Sequence, residues 1–288
     1  MTLCLLSVPG TIVPPRSIGL LDLAPSKDDE LYVHQLNEDH RLFFYGNFTG
    51  FHTYLIATHT KFKVIPESVR QTGYDKFEAK IAYEAEDGKK QAQLIKFNSP
   101  LLPIRSVKPC KYGRDYDSFE LEPINGYASQ KFHCNLSFIT AYGTNLDAPV
   151  PLKIEYIGMA AKNGRTAQER LGEGHDKLQL VLGELNDKDL FRSVSLVLYK
   201  PGELDCDRIT FPQVVETFEA SLIQYFKPKP LNTEHLNFPN NKTKLTSVLA
   251  SIGASHILTK LDSPRNTCLY SIHKPQPRSE HMFDVRLR

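Results

Sequence analysis

The sequence predicts a mixed α/β (α+β) protein, in which a β-rich N-terminal part precedes a small three-stranded sheet flanked by helices. Two patterns lead to this prediction. Aromatic and β-branched residues, typical of strands, are concentrated before residue 130. After residue 130, apolar runs of strand length alternate with longer segments of helical periodicity. A chain of 288 residues favours more than one unit, so we expect a β-rich accessory unit at 1–130, an α/β unit at 131–240 and a basic C-terminal extension at 241–288.

The N-terminal part contains several strand candidates. Residues 40–65 are rich in aromatic and β-branched residues. Residues 76–97 alternate on both sides of the Glu-Asp-Gly at 86–88, where Asp-Gly supplies the positive φ of a tight hairpin turn. Another short strand is expected at 118–124. Because this part shows no His, Cys or carboxylate group with the spacing of a metal site, we interpret it as an accessory unit for target recognition.

The α/β unit is expected to run in the order β-β-α-β-α. Leucines recur at three-, four- and seven-residue intervals in residues 166–185, and apolar residues mark one face of residues 211–226, as in amphipathic helices. One more helix candidate follows in the basic extension. The expected elements are strands at 132–143, 151–158 and 192–200, and helices at 166–185, 211–226 and 243–261.

Charge is unevenly distributed along the chain. Residues 227–288 carry ten Lys and Arg against four Asp and Glu, a net charge of +6. The whole chain carries +2, which leaves −4 for the residues before 227. Such asymmetry favours contact between the C-terminal region and a polyanion. A solvated, partly disordered terminus accounts for the charge equally well.

The cysteines and the N-terminus predict the compartment. The five cysteines are widely spaced, with no Cys-x-x-Cys pair, which favours reduced thiols inside the cell over a disulfide framework or a zinc site. The N-terminal stretch MTLCLLSVPG is too short for a signal peptide or a membrane span. We therefore expect a soluble cytoplasmic protein without membrane contact.

Glu219 is the most informative single residue. It lies four residues after Val215 and three before Leu222, along the border of the apolar face of a predicted helix. A carboxylate that leans toward a packed face must be paired, protonated or bound to a metal, because its unpaired burial costs several kcal/mol or more. The pattern alone leaves a structural salt bridge and a metal site both open.

Two arginines and a histidine follow a predicted strand and a glycine turn. Arginine presents a planar fork of donors that matches a phosphate, and Arg165 lies just past the turn, where the backbone N–H groups of a helix start also bind anions. Taken singly, Arg165 and Arg170 are equally compatible with a helix surface, and His175 with the edge of a core. Tyr156 and Ile157 alternate on their strand, so if Ile157 packs under the helices, the Tyr156 hydroxyl faces a groove.

Taken together, these motifs resemble the GIY-YIG nuclease family. The resemblance covers about residues 132–235, somewhat over a third of the chain. The matching residues are Tyr156-Ile157-Gly158 as the second motif, Arg170 at the start of RLGEGH, His175, and Glu219 and Asn232 in EASLIQYFKPKPLN.

One motif departs from the family. No Gly-Ile-Tyr triplet precedes the second motif. Tyr142 in SFITAYG is our candidate for the first tyrosine, with a lengthened turn before Tyr156. The alternative is that the tyrosine is lost and that Phe138 or Ile139 takes its place.

The resemblance implies hydrolysis of DNA phosphodiester bonds with one divalent cation. Glu219 would hold Mg²⁺ or Mn²⁺, and Arg170 would bind the scissile phosphate. Tyr156 or Tyr142 would orient or deprotonate the attacking water, and His175 would assist the proton transfer. Contacts to the nucleic acid are implied for Arg165, Lys162 and Asn232, and Asn232 would also tie the end of the helix to the site.

The leading interpretation is therefore a metal-dependent endonuclease acting on duplex DNA, with a restriction or defence role as our choice among the family's roles. A second interpretation is a non-catalytic nucleic-acid-binding or partner-binding module that kept the fold and lost the first tyrosine. A third is that the motif match arose by chance in an unrelated α/β protein.

Overall fold

The structure of the protein is a computed structural model that describes residues 2–13, 33–36, 42–45, 50–84, 88–101, 103–112, 115–125, 128–161, 164–172, 175–188, 192–201, 208–240 and 243–287. The strands in these ranges are β1 (Thr2–Val13), β2 (Val33–Leu36), β3 (Leu42–Tyr45), β4 (Thr53–Thr60), β5 (Lys63–Val64), β6 (Arg70–Gln71), β7 (Lys76–Glu84), β8 (Lys90–Asn98), β9 (Ile104–Tyr112), β10 (Asp115–Pro123), β11 (Gln130–His133), β12 (Val150–Met159), β13 (Arg192–Pro201), β14 (His256–Asp262), β15 (Thr267–Tyr270) and β16 (Glu280–Arg286). The α-helices are α1 (Leu136–Tyr142), α2 (Ala167–Gly172), α3 (Asp176–Lys188), α4 (Phe211–Phe226) and α5 (Lys244–Ser251).

Seven strands form a central sheet in the order β15-β12-β4-β13-β1-β14-β16. Neighbouring strands are antiparallel, except for the parallel pairs β1–β14 and β12–β15. Strand β4 lies between β12 and β13 and is buried on both faces. Leu55 and Ala57 pack into one hydrophobic cluster and Tyr54 and Ile56 into another, because successive side chains of a strand point to opposite faces.

Helices cover both faces of this sheet. Leu171 of α2 and Leu178 of α3 belong to the cluster that contains Tyr54. Phe218 and Leu222 of α4 belong to the cluster on the other face, which also contains Ile157. The apolar helical face predicted for residues 211–226 is confirmed, and Tyr156 and Ile157 point to opposite faces, as their alternation predicts.

The segment between β4 and β12 forms a separate β-rich layer. It contains a four-stranded sheet of β5 to β8 and a three-stranded sheet in the order β11-β10-β9. The predicted hairpin is confirmed by the pairing of β7 with β8, and the strand predicted at 118–124 is part of β10. Packed phenylalanines, Phe77, Phe97, Phe119 and Phe138, form its core at centroid distances of 5.0–5.7 Å. This layer is an insertion between two neighbouring strands of the central sheet.

The central sheet does not follow the expected boundaries at 130 and 240. It takes β1 and β4 from residues 1–130, β12 and β13 from residues 131–240, and β14 to β16 from the basic extension. The extension is therefore built into the sheet. The mixed α/β class is confirmed, but the strands of the predicted α/β unit belong to a seven-stranded sheet, because strands from outside that unit extend it on both sides.

Two element predictions are wrong. Residues 132–143, expected as a strand, form the end of β11 and helix α1, because Asn135 caps the helix by accepting a hydrogen bond from the Phe138 N–H (2.9 Å). Residues 243–261, expected as one helix, form α5 and then β14, with Gly253 at φ +72° between them. The helix expected at 166–185 is divided into α2 and α3. No helix in the described part of the chain is long and apolar enough to cross a membrane.

Candidate functional site

Tyr54 and Gly158 face each other on neighbouring strands. Tyr54 lies on β4 and is paired in register with Gly158 of β12. A Cβ atom at position 158 would lie 2.5 Å from Cζ and 2.6 Å from Oη of Tyr54, and 2.7 Å from Cε1 of Tyr156. These distances are shorter than any real Cβ contact, so only glycine fits between the two phenol rings.

His175 completes an aromatic cluster with the two tyrosines. Its Nε2 lies 2.7 Å from Oη of Tyr54, and its Nδ1 accepts a hydrogen bond from the Leu178 N–H (3.3 Å). In a neutral ring this network assigns the proton to Nε2, which donates to Tyr54. The ring of His175 lies 5.4 Å from each tyrosine ring, and the tyrosine rings lie 6.3 Å apart. The predicted Tyr156 and His175 are therefore neighbours. Tyr54, which lies outside the sequence motifs, packs with both of them.

The three rings are neutral in this environment. Burial and, after it, the charge of Arg170 lower the pKa of His175 to about 4. Burial and, after it, the nearby Glu219 carboxylate raise the pKa of Tyr156 to about 12. Burial also raises the pKa of Tyr54 well above its usual value. The three rings thus lie in a largely buried environment in which added charge has a strong effect.

Glu219 places a buried carboxyl group beside the tyrosines. It lies in the middle of α4, only 9% exposed, and accepts a hydrogen bond from the backbone N–H of Met159, at the end of β12. Burial and, after it, the carboxylates of Glu234 and Glu216 raise its pKa to about 8. Among the described ion pairs, none includes Glu219. The salt bridge that the sequence left open is therefore not found among the described residues.

Arg170 supplies positive charge to the three rings of the cluster. It is half-buried on α2, and its charge lowers the pKa of Tyr54, Tyr156 and His175. Arg165 lies before α2 and acts on Tyr54 in the same direction. The positive charge of both guanidinium groups would attract an anion bound beside Tyr54.

Asn232 ties the segment after α4 to the strand of the tyrosines. Its Oδ1 accepts a hydrogen bond from the Ile157 N–H (2.9 Å), and its Nδ2 donates to the Ile157 carbonyl (2.8 Å). Asn232 is buried, so these bonds hold β12 in place next to Gly158. Its role in the structure is to position the strand, in addition to the nucleic-acid contact expected for it.

Tyr142 lies apart from this cluster. It ends helix α1, packs on Phe138 at 5.0 Å between ring centroids, and belongs to the rim of the hydrophobic cluster on the opposite face from Tyr54. The expectation that Tyr142 lies with Tyr156 is therefore wrong. The strand that pairs with β12 at Tyr156 and Gly158 is β4, and it carries Tyr54. Lys162 lies outside the described residues.

The residues present fit a cation that keeps most of its water. No group of three or more His, Cys, Asp or Glu in the described ranges is arranged to enclose a metal ion. Mg²⁺ is commonly held by one or two carboxylates, with waters and substrate phosphates as the other ligands. Glu219 fits this arrangement, because its carboxyl group is buried and has the carboxylate of Glu234 near it.

A cavity of about 580 Å³ lies at the other end of the same strands. His59, Phe62, Ile81 and Arg192 are among its lining residues, so it lies between the central sheet and the inserted layer. His59 is five residues from Tyr54 on β4, about 17 Å at the rise of a strand. The cavity is therefore separate from the tyrosine cluster.

Comparison with models of protein families, with curated proteins and with solved structures gives no match to this chain.

Proposed function

We propose that the chain is a metal-dependent nuclease of the GIY-YIG type that hydrolyses phosphodiester bonds in DNA. The observation that carries this proposal is the position of Tyr54, which meets Gly158 and Tyr156 across two paired strands. It supplies the tyrosine that the sequence motif lacked. The predicted site then contains two phenols, a histidine that contacts both of them, and an arginine and a buried carboxyl group whose charges act on both.

The order of elements supports the same proposal. The sequence predicts β-β-α-β-α, and the elements β4, β12, α2–α3, β13 and α4 follow that order. Strand β4 takes the place of the strand expected at 132–143, with the inserted layer between the first two strands. The insertion leaves the pairing of β4 and β12 intact, since a long connection costs little once the paired strands are buried.

The residues divide into two binding roles. Arg170 and Arg165 would bind the phosphate, whose charge they match. Glu219 would hold Mg²⁺ or Mn²⁺, with Glu234 as the nearest second carboxylate. The cation, when bound, supplies charge stabilisation for the phosphate and the leaving oxygen.

The tyrosines would position the attacking water. Tyr54 accepts a hydrogen bond from His175, which leaves its own proton free to point toward a ligand. Ionised Glu219 raises the pKa of both tyrosines, and Arg170 lowers it. A cation bound at Glu219 would offset the first influence and leave the second, so the pKa of either phenol would fall and its phenolate form, which can accept a proton from water, would be reached more readily.

A non-catalytic module on the same fold is the alternative. The main argument for the non-catalytic module was that the sequence motif lacks its first tyrosine. In our proposal Tyr54 takes that place, so we favour the nuclease over the non-catalytic module.

The experiment compares two tyrosines. Tyr54→Phe is expected to lower Mg²⁺-dependent cleavage of plasmid DNA by about 100-fold or more, as the loss of a group acting in proton transfer does. Tyr142→Phe removes the same hydroxyl from the residue that the motif alone selects, and we expect it to cut like the wild type. Equal activity in the two variants would contradict the assignment of Tyr54, and the absence of cleavage by the wild type would contradict the nuclease itself.

A further inference from the structure

We infer that a basic surface at the C-terminal end of α4 binds the phosphate backbone of the nucleic acid beside the candidate site. The surface, called here the α4-end surface, consists of Lys227, Lys229, His273 and Lys274. The inference rests on the proposed function, which it deepens by naming where the polyanion is held.

Two distant segments are joined to make this surface. Ser271 donates a hydrogen bond from Oγ to the carbonyl of Phe226, the last residue of α4 (2.6 Å). The same Oγ accepts from the N–H of Lys274 (3.0 Å), and the Ser271 N–H donates to the Lys274 carbonyl (3.0 Å). Ser271 is fully buried, so this turn places Lys274 next to Lys227.

The cluster concentrates positive charge. Burial and then Lys227, Lys274 and Lys229 hold the pKa of His273 below its usual value, which shows that all three lysines act on one position. No carboxylate is among the influences on His273. The ammonium group of Lys274 lies over the ring of Tyr225, 4.7 Å from its centroid. Like charges gathered without a carboxylate repel one another, and a bound polyanion relieves that repulsion.

The helix cap accounts for only one of these residues. Cations at the C-terminal end of a helix interact favourably with the helix dipole. Lys227 is the residue that caps α4, in the left-handed conformation at φ 45°. Lys274 and His273 come from another segment, which a helix cap does not require.

The surface lies close enough to the candidate site to act on the same substrate. Glu219 and Lys227 are eight residues apart on one helix, which is about 12 Å. That length corresponds to about three or four nucleotides of one strand of duplex DNA. Lys227 and Lys229 also lead directly to Asn232, which is bonded to the strand of Tyr156. A DNA strand that is cut beside Glu219 and follows α4 would therefore place phosphates about three or four nucleotides away at these lysines.

The test removes the charges and keeps the side-chain stems. The triple variant Lys227→Gln, Lys229→Gln and Lys274→Gln is compared with Lys76→Gln, Lys80→Gln and Lys108→Gln, three exposed lysines on the inserted sheets. Binding to a short fluorescent DNA duplex is measured without divalent metal over a salt series. We expect the α4-end variant to bind at least about tenfold more weakly and its salt slope to fall by about 3, one for each lost phosphate contact, and we expect a clearly smaller loss of affinity and slope in the control. Thermal unfolding checks that both variants fold.

The outcomes separate this inference from the proposed function. Wild-type affinity and slope in the folded α4-end variant would overturn the inference, as would equal weakening in the control. A wild-type chain that binds no duplex, or that binds phosphatidylserine vesicles through these lysines in preference to DNA, would overturn it too. The proposed function is judged separately, by metal-dependent cleavage in the wild type and its loss in Glu219→Gln. If the chain binds DNA through the lysines but does not cut it, the proposed nuclease function is contradicted and the inference about the α4-end surface still holds.

Discussion

Gly158 of β12 lies against the phenol ring of Tyr54 on β4, and a single added carbon at position 158 would come within 2.5 Å of that ring. The packing of Tyr54 thus explains why the sequence motif has a glycine at position 158. Gly158 leaves the space in which Tyr54 and Tyr156 approach His175.

Gly158→Ala is expected to displace Tyr54 and to destabilise the protein by about 1–3 kcal/mol, as other overpacked cores are destabilised. Cleavage should fall by more than the loss of folded protein explains, because the displaced phenol no longer meets His175. Gly183→Ala is the matched control. Gly183 lies in α3 with open space around it, so alanine there should stabilise the helix by about 0.5–1 kcal/mol. Urea unfolding of both variants measures the two effects, and changes of the same sign would contradict the packing described for Gly158.

Asn232→Ala is expected to lower the free energy of unfolding by about 2–4 kcal/mol, because it leaves the buried N–H and carbonyl of Ile157 without their partner. Asn240→Ala is the control, since Asn240 is exposed, and a surface change of this kind shifts stability by about 0.5 kcal/mol or less. Thermal and urea unfolding measure the difference. If Asn232→Ala were as stable as Asn240→Ala, the bonds to Ile157 would not be holding β12.

His59 should make stability depend on pH. The ring is buried and neutral, with Nδ1 donating to the Thr60 carbonyl (2.7 Å) and Nε2 accepting from Ser195 (2.9 Å). Burial, with a smaller contribution from the charge of Arg192, lowers its pKa to about 4. In the unfolded chain His59 binds a proton near pH 6.5, whereas in the folded protein it binds one only near pH 4.

The contribution of His59 is accordingly complete above pH 6.5 and is lost as the pH falls toward 4. Between pH 7.5 and 5 the loss amounts to about 2 kcal/mol. His59→Gln lacks this titrating group, so its free energy of unfolding should fall less than that of the wild type between pH 7.5 and 5. The difference between the two decreases should be about 2 kcal/mol. Identical pH dependence in the two proteins would show that His59 is not held neutral.

The sequence predicts the parts of the fold and site that are local. The strand before Gly158 and the helix that carries Glu219 are long and regular enough to recognise from their periodicity. Tyr156, His175 and Glu219 follow from motifs with short internal spacing. The structure brings these three residues to one place.

Tyr54 could not be predicted in the same way. Its strand is visible in the sequence as TYLIATHT, but residues 61–149 separate it from β12, and a local pattern does not reveal pairing across such an insertion. Tyr142 was the nearest tyrosine in the chain. Its segment, LSFITAY, has the composition of a strand, yet the Asn135 cap and the packing of Phe138 make it a helix, so tertiary context overrides the local propensity.

The most direct test of the account is the rate at which the wild type and Glu219→Gln cut plasmid DNA in Mg²⁺, with EDTA as the metal-free reference. The substitution keeps the size of a side chain buried in α4 and removes its ability to hold a cation. We expect cleavage by the wild type only with metal, and a loss of about 100-fold or more in Glu219→Gln at unchanged thermal stability. Cleavage by Glu219→Gln at the wild-type rate, or a wild type that does not cut at all, would contradict the central claim that Tyr54, Tyr156, Arg170 and Glu219 form one hydrolytic site.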